Sequence, residues 1–277
     1  MSSIYRLMKT PAPEDTGNLK KVLKECLTEF FGTAIFVYFG TLSAVSTGSV
    51  LSTAGYDDVA TVFPIAFTFG VTFLCLVYTI GPVSGGHMNP GISLLAFFKG
   101  EMSLCKLIAY WAVQLFGSMA ASAWVWLSVH HMSNEPPFFL GATTLDPELS
   151  SGNGFLLELM GSFFFYFVIS ECAKKIPTMA PIPIGLSLVV VHICLIPFTG
   201  CGLNPARTFG PAVVSCFGYN VDCGDVIGKW WWIYWIAPFI AAFFAAELSN
   251  LLSWKVEDET TEEKVAKQPE DDDVSYD

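Results

Sequence analysis

Six stretches of this chain, 24–47, 60–82, 104–130, 154–173, 181–199 and 230–253, are strongly apolar and carry few charges. A hydrocarbon core of ~30 Å takes ~20 residues of helix to cross, so each stretch is long enough to span a bilayer. Inside lipid, every backbone N–H and C=O must find a partner within the protein, which leaves only helices or closed barrels as spanning structures. Stretches of this length select helices. With 53% hydrophobic and 14% charged residues among 277, the chain is too apolar for an ordinary soluble domain. The first stretch is too long for a cleavable signal peptide and lacks a small-residue cleavage site, so it is expected to stay as a span.

The charges add orientation. Twelve of the fourteen basic residues fall before the first span, between spans two and three, after span four, or after span six; only Arg207 and Lys229 lie on the opposite side. By the positive-inside rule, both termini are expected to be cytoplasmic. The last 23 residues hold ten acidic and three basic side chains, which reads as a solvated, disordered tail over 254–277. The remaining body is only mildly acidic, which gives no reason to expect nucleic acid as a partner. Of the eight cysteines, Cys216 and Cys223 lie near enough on the outer side to leave a disulfide open. No metal-ligand cluster or nucleophile–base pair stands out, so neither an enzyme nor a bound cofactor is expected.

Two short segments, 84–98 and 200–217, are moderately apolar, too short to span, and sit on opposite sides. They resemble each other. Ser84-Gly85-Gly86-His87-Met88-Asn89-Pro90 aligns with Thr199-Gly200-Cys201-Gly202-Leu203-Asn204-Pro205, with Asn89 and Asn204 115 residues apart. The spans that open each half also match, through Glu29, Gly32 and Thr33 in the first and Glu158, Gly161 and Ser162 in the fourth. Each half is three spans with an interrupted segment between its second and third. Three is odd, so the second half enters the membrane inverted. Asparagine is a strong helix N-cap and proline suits the first helical turn. Each Asn-Pro therefore predicts the start of a half-helix, and the two N-termini are expected to face each other near the midplane. The fold class is then an all-α membrane protein of six transmembrane helices and two re-entrant half-helices in an inverted 3+3 repeat.

With these paired motifs, and with Gly202 to Val213 reading GLNPARTFGPAV, the chain resembles the aquaporin (major intrinsic protein) family over about residues 22–253. The resemblance implies a channel region at 22–253, repeats at about 22–130 and 152–253, a cytoplasmic N-terminal segment at 1–21, and one pore in each subunit of a homotetramer. It implies that Asn89, Pro90 and Gly91, with Asn204, Pro205 and Ala206, meet at the pore centre. Glu29 and Glu158 would brace the re-entrant loops. Gly91 stands where the family usually has alanine, from which a looser first half-helix is expected.

Counting from the motifs, Phe69, His192, Cys201 and Arg207 resemble the narrow filter of the water-selective branch, and Ala212, Tyr234 and Trp235 point the same way. Bulky Phe69 and His192 would leave room for about one water. His192 and Arg207 are expected to supply donors, and the fixed charge of Arg207 to repel cations. The function so implied is passive water flow with exclusion of protons and ions, with water and the lipid bilayer as partners and a plasma membrane ahead of a vacuolar one as residence. Passage of glycerol or hydrogen peroxide, and a secondary transporter, are the alternatives. Ser103, Lys174, Lys175, Thr178, Ser275 and Tyr276 are candidate regulatory residues near the inner mouth.

Overall fold

The computed structural model describes residues 18–53, 59–132, 137–218 and 223–266. Its helices are α1 (Leu19–Thr53), α2 (Val59–Ser84), α3 (Pro90–Phe98), α4 (Leu104–Val129), α5 (Ser151–Lys175), α6 (Pro181–Thr199), α7 (Pro205–Gly218) and α8 (Ile233–Ala266). Short 3-10 turns at His130–Met132, Pro137–Gly141 and Cys223–Asp225 fill the connections, and no strand occurs among the described residues. Six of the helices contain apolar spans: Leu19–Gly48, Ala60–Ser84, Leu104–Val129, Ser151–Lys175, Pro181–Thr199 and Ile233–Ser253. These coincide with the six stretches legible in the sequence. The last differs at both ends: Trp230 to Trp232 form a turn, and the helical backbone continues past 253 to Ala266.

Local chemistry sets several helix ends. The Ser103 hydroxyl accepts the Lys106 N–H at 3.3 Å to cap α4, and Ser150 accepts the Asn153 N–H at 3.1 Å to cap α5. Helix α6 stops at Gly200, whose φ of +68° suits glycine and whose N–H returns to the Ile196 carbonyl at 3.1 Å.

The packing repeats the inverted symmetry. In the first half α1 packs on α2 and α4; in the second, α5 packs on α6 and α8. Helix α7 lies against α4 as α3 lies against α8. Where α2 and α6 cross, Gly70 faces Gly185, and a Cβ on either would come within 2.7 Å of the other's carbonyl oxygen. Only glycine allows the backbones to meet this closely.

Along α1, Leu19, Leu23, Leu27, Phe31, Ile35 and Phe39 recur every four residues, so they share one face, and all are exposed. The polar groups Glu29, Thr33 and Thr41 are fully buried. An apolar outside with a polar inside is what a hydrocarbon solvent selects. At nine and fourteen residues, α3 and α7 fall short of the ~20 needed to span. Their N-termini point at each other from opposite ends of the bundle.

Candidate functional site

The two re-entrant segments have the same backbone. Positive φ occurs at Gly85, Gly86 and Met88 in the first, and at Gly200, Cys201 and Leu203 in the second. Met88, Cys201 and Leu203 hold φ of +50°, +56° and +53° without being glycine, a conformation that surrounding bonds must enforce. Those bonds come from the two buried acids. Glu158 Oε1 accepts the Thr199 hydroxyl at 2.5 Å and the Gly202 N–H at 2.9 Å, while Oε2 accepts the Leu203 N–H at 2.8 Å. In the other half Glu29 Oε1 accepts the Ser84 hydroxyl at 2.7 Å and the His87 N–H at 2.9 Å, and Oε2 accepts the Met88 N–H at 2.6 Å. Gln114 adds a fourth donor to Glu29 at 3.0 Å.

One tyrosine completes each brace. Tyr110 on α4 donates to the Ser84 carbonyl at 2.8 Å, and Tyr234 on α8 donates to the Thr199 carbonyl at 2.6 Å. Sequence reasoning passed over Tyr110, Gln114 and the bracing roles of Ser84 and Thr199. The only signal for the last two was that they occupy the first aligned position of the repeat.

The motif asparagines cap their half-helices and cross-link the halves. Asn89 Oδ1 accepts the Gly91 N–H at 2.8 Å; Asn204 Oδ1 accepts those of Ala206 at 3.0 Å and Arg207 at 3.2 Å. Asn89 Nδ2 donates to the Leu203 carbonyl at 3.1 Å, and Asn204 Nδ2 donates to the Met88 carbonyl at 2.8 Å. Each amide NH₂ thereby uses one hydrogen and keeps one. Pro90, Pro205 and Ala206 are buried at the two helix starts. The looser first half-helix expected from Gly91 is not what the packing gives. Its cap bond is intact, and the place a methyl group would take is filled by the Tyr166 hydroxyl, 2.0 Å from a Cβ built on Gly91.

On the far side of the asparagines, Phe69 and His192 stack with ring centroids 4.6 Å apart, and the Arg207 guanidinium lies 4.8 Å from the Phe69 centroid. Arg207 Nη1 donates to the Gly141 carbonyl at 2.7 Å, and no carboxylate pairs with it among the described residues. His192 Nδ1 lies 2.9 Å from the Leu188 carbonyl. A carbonyl only accepts, so Nδ1 carries the proton, and the Nε2 of a neutral ring offers a lone pair rather than the donor expected from sequence. His192 Nε2 and Arg207 Nε are both buried and find no partner among the described residues. Cys201 is fully buried on the same re-entrant segment as Arg207. Thr208 accepts a bond from Thr143 at 3.1 Å, and Ala212 is fully buried.

At the opposite end, a cavity of ≈ 560 Å³ reaches inward from the 176–180 connection, lined among others by Pro177, Thr178, Ile184, His87, Ile92 and Phe73. Lys175 pairs with Glu171 at 2.8 Å and Lys174 donates to the Ser253 hydroxyl. Ser103 is buried and committed to its cap, while Ser275 and Tyr276 lie outside the described residues. No disulfide joins Cys216, which is buried, to Cys223, which is exposed. Among the described residues no group of three or more His, Cys, Asp or Glu side chains is placed to hold a metal ion.

Residues 18–248 match the family model described as "Major intrinsic protein". The chain is 34% identical to "Probable aquaporin PIP2-7" of Oryza sativa subsp. japonica, covering 87% of this chain and 84% of the relative. It is 33% identical to "Aquaporin-5" of Rattus norvegicus, covering 81% and 79%. An X-ray structure of the aquaglyceroporin from Plasmodium falciparum superposes with a TM-score of 0.69 at 19% identity, over 83% of this chain and 99% of that one.

Proposed function

Since the chain belongs to the major intrinsic protein family, we propose that it is a passive water channel, driven by osmotic gradients and closed to protons and ions. The observation that carries this reading is the crossed pair of asparagines, each with one amide hydrogen left after capping and cross-linking. Water entering from the inner cavity meets donors at Asn89 and Asn204. Its oxygen accepts from them, so both its hydrogens turn away from the centre. The positive ends of α3 and α7 favour the same orientation and oppose a cation there. With both lone pairs engaged, a water so turned cannot accept a proton from its neighbour, so the relay stops there.

Beyond the asparagines, Phe69, His192, Cys201 and Arg207 form the filter. His192 Nε2 accepts a hydrogen and the Arg207 N–H groups donate, replacing bonds that water loses on leaving bulk solvent. Under this proposal the bulk of Phe69 and His192 narrows the filter against carbon-bearing alcohols, while the guanidinium repels cations. The chemistry is desolvation and re-bonding, with no covalent step; the protein is a channel and not an enzyme.

The same reading makes each subunit of a homotetramer one pore, with the termini in the cytoplasm and the plasma membrane as residence. Thr178, which lines the inner cavity from the 176–180 connection, is a gating element under this proposal, with Lys174 and Lys175 in the last turn of α5 and the two terminal segments. Modification of Ser103 would require its cap bond to break first.

Stopped-flow light scattering on proteoliposomes tests the function. Shrinkage under an impermeant osmolyte should be fast, and re-swelling in glycerol slow. His192→Ala should admit glycerol. Wild-type protein that is folded yet gives no water flow above empty liposomes, also after truncation of the termini, would refute the channel.

A further inference from the structure

The internal repeat makes the two halves each other's control. Tyr166 lies eight residues after Glu158, as Val37 lies eight after Glu29; Gly91 and Ala206 each lie two after their motif asparagine. The pseudo-symmetry therefore relates the pair Val37 and Ala206 to the pair Tyr166 and Gly91, each drawing one residue from each half. A Cβ on Gly91 would fall 2.0 Å from the Tyr166 hydroxyl oxygen and 2.7 Å from its ring carbon Cζ. The larger residue on α5 and the smaller one on α3 compensate each other in volume.

The hydroxyl brought in by this exchange has partners of its own. Tyr166 is fully buried, donates to the Leu203 carbonyl at 2.6 Å, and lies 3.4 Å from Asn89 Oδ1. The Leu203 carbonyl is also the acceptor of Asn89 Nδ2. Both of its lone pairs are thus engaged by protein donors. Across the pseudo-two-fold, the Met88 carbonyl accepts Asn204 Nδ2, and no hydroxyl joins it among the described residues. The symmetry that governs the glutamates, the tyrosine braces and the caps does not extend to this hydroxyl.

We infer that Tyr166 is a positioning residue for Asn89: its hydroxyl anchors the Leu203 carbonyl, the carbonyl holds one hydrogen of the Asn89 amide, and the other hydrogen is thereby aimed at the permeant. Gly91 is the residue that makes room for this strut. The planar amide turns as a unit, so the direction of its free N–H follows the carbonyl that holds its partner. The inference rests on the reading of Asn89 as a pore-centre donor.

The test uses the full chain in liposomes, labelled with ¹⁵N-asparagine, as wild type, Tyr166→Phe, Gly91→Ala and the double variant Gly91→Ala/Tyr166→Val, which copies the symmetry-related pair of Val37 and Ala206. Solid-state NMR of the side-chain amides is read together with water permeability per folded subunit. Tyr166→Phe keeps the ring and removes the anchor; the Asn89 amide resonance should move while that of Asn204 stays, and permeability should fall about two- to fivefold, the scale of one lost positioning hydrogen bond. Gly91→Ala should lose folded protein or most of its flow, and the double variant should recover it. An Asn89 resonance unmoved in Tyr166→Phe would overturn the inference, as would a double variant no better than Gly91→Ala. Absence of water flow in the wild type would sink the channel reading instead, and the NMR comparison would still decide the strut.

Discussion

Replacing Glu158 by alanine should destabilise the second re-entrant loop by an amount the geometry sets. The carboxylate accepts three bonds, from the Thr199 hydroxyl and the Gly202 and Leu203 N–H groups. The hydroxyl has an alternative in the Leu195 carbonyl at 3.4 Å, so its loss matters little. The two N–H groups have none: both are buried, and Leu203 holds a positive φ that depends on its bond. Leaving a buried donor unsatisfied costs about 1–3 kcal/mol, so the two together cost about 2–6 kcal/mol. At about 2–4 °C per kcal/mol for a chain of this size, the thermal midpoint should drop on the order of 10 °C. Because Leu203 carries the carbonyl that holds Asn89, water permeability should fall with it. Glu158→Gln retains one acceptor oxygen and should lie between. Differential scanning fluorimetry in detergent and stopped-flow scattering on the same preparations read both quantities. A Glu158→Ala variant within about 2 °C of wild type, with undiminished flow, would refute the claim that this carboxylate holds the loop.

The mirrored change Glu29→Ala should cost a comparable amount, since Glu29 accepts the buried Met88 N–H, the part-buried His87 N–H, a hydroxyl and the Gln114 amide; the same fluorimetry measures it. Arg207→Val should raise proton leak per water transported, read with an entrapped pH dye, and Arg207→Lys should not restore wild-type behaviour, because only the planar guanidinium can both bond the Gly141 carbonyl and lie on Phe69. Mercurials should block water flow through Cys201 at the constriction, and Cys201→Ser should abolish the block while the exposed Cys75, Cys105 and Cys194 remain; block persisting in the serine variant would place the reactive thiol elsewhere.

Spans, inverted repeat and motif ends were legible because each depends on neighbours in sequence. Apolar length decides a membrane helix, and an asparagine before a proline decides where a half-helix starts, whatever lies across the bundle. The proposed filter positions came only from counting from those motifs in a resemblance. Counting named His192 but could not tell which nitrogen faces Leu188, and so assigned it a donor where the neutral ring offers an acceptor. Gly91 read alone suggested a weakened helix, because the propensity of one residue says nothing of what occupies the space beside it.

By itself, then, the sequence determined that this chain crosses a membrane six times, that its halves are inverted copies, and that two capped half-helices face each other. These follow from the hydrophobic effect and backbone hydrogen bonding, which act over a few turns. Only the tertiary structure decided that Tyr110 and Tyr234 pin the two loops, that Arg207 turns to a backbone carbonyl and not to an acid, and that Tyr166 stands in the space left by Gly91. Partners such as Tyr166 and Gly91 are 75 residues apart along the chain. Their contact exists because the helices pack to near-crystal density, where a volume added on one helix has to be removed from the next.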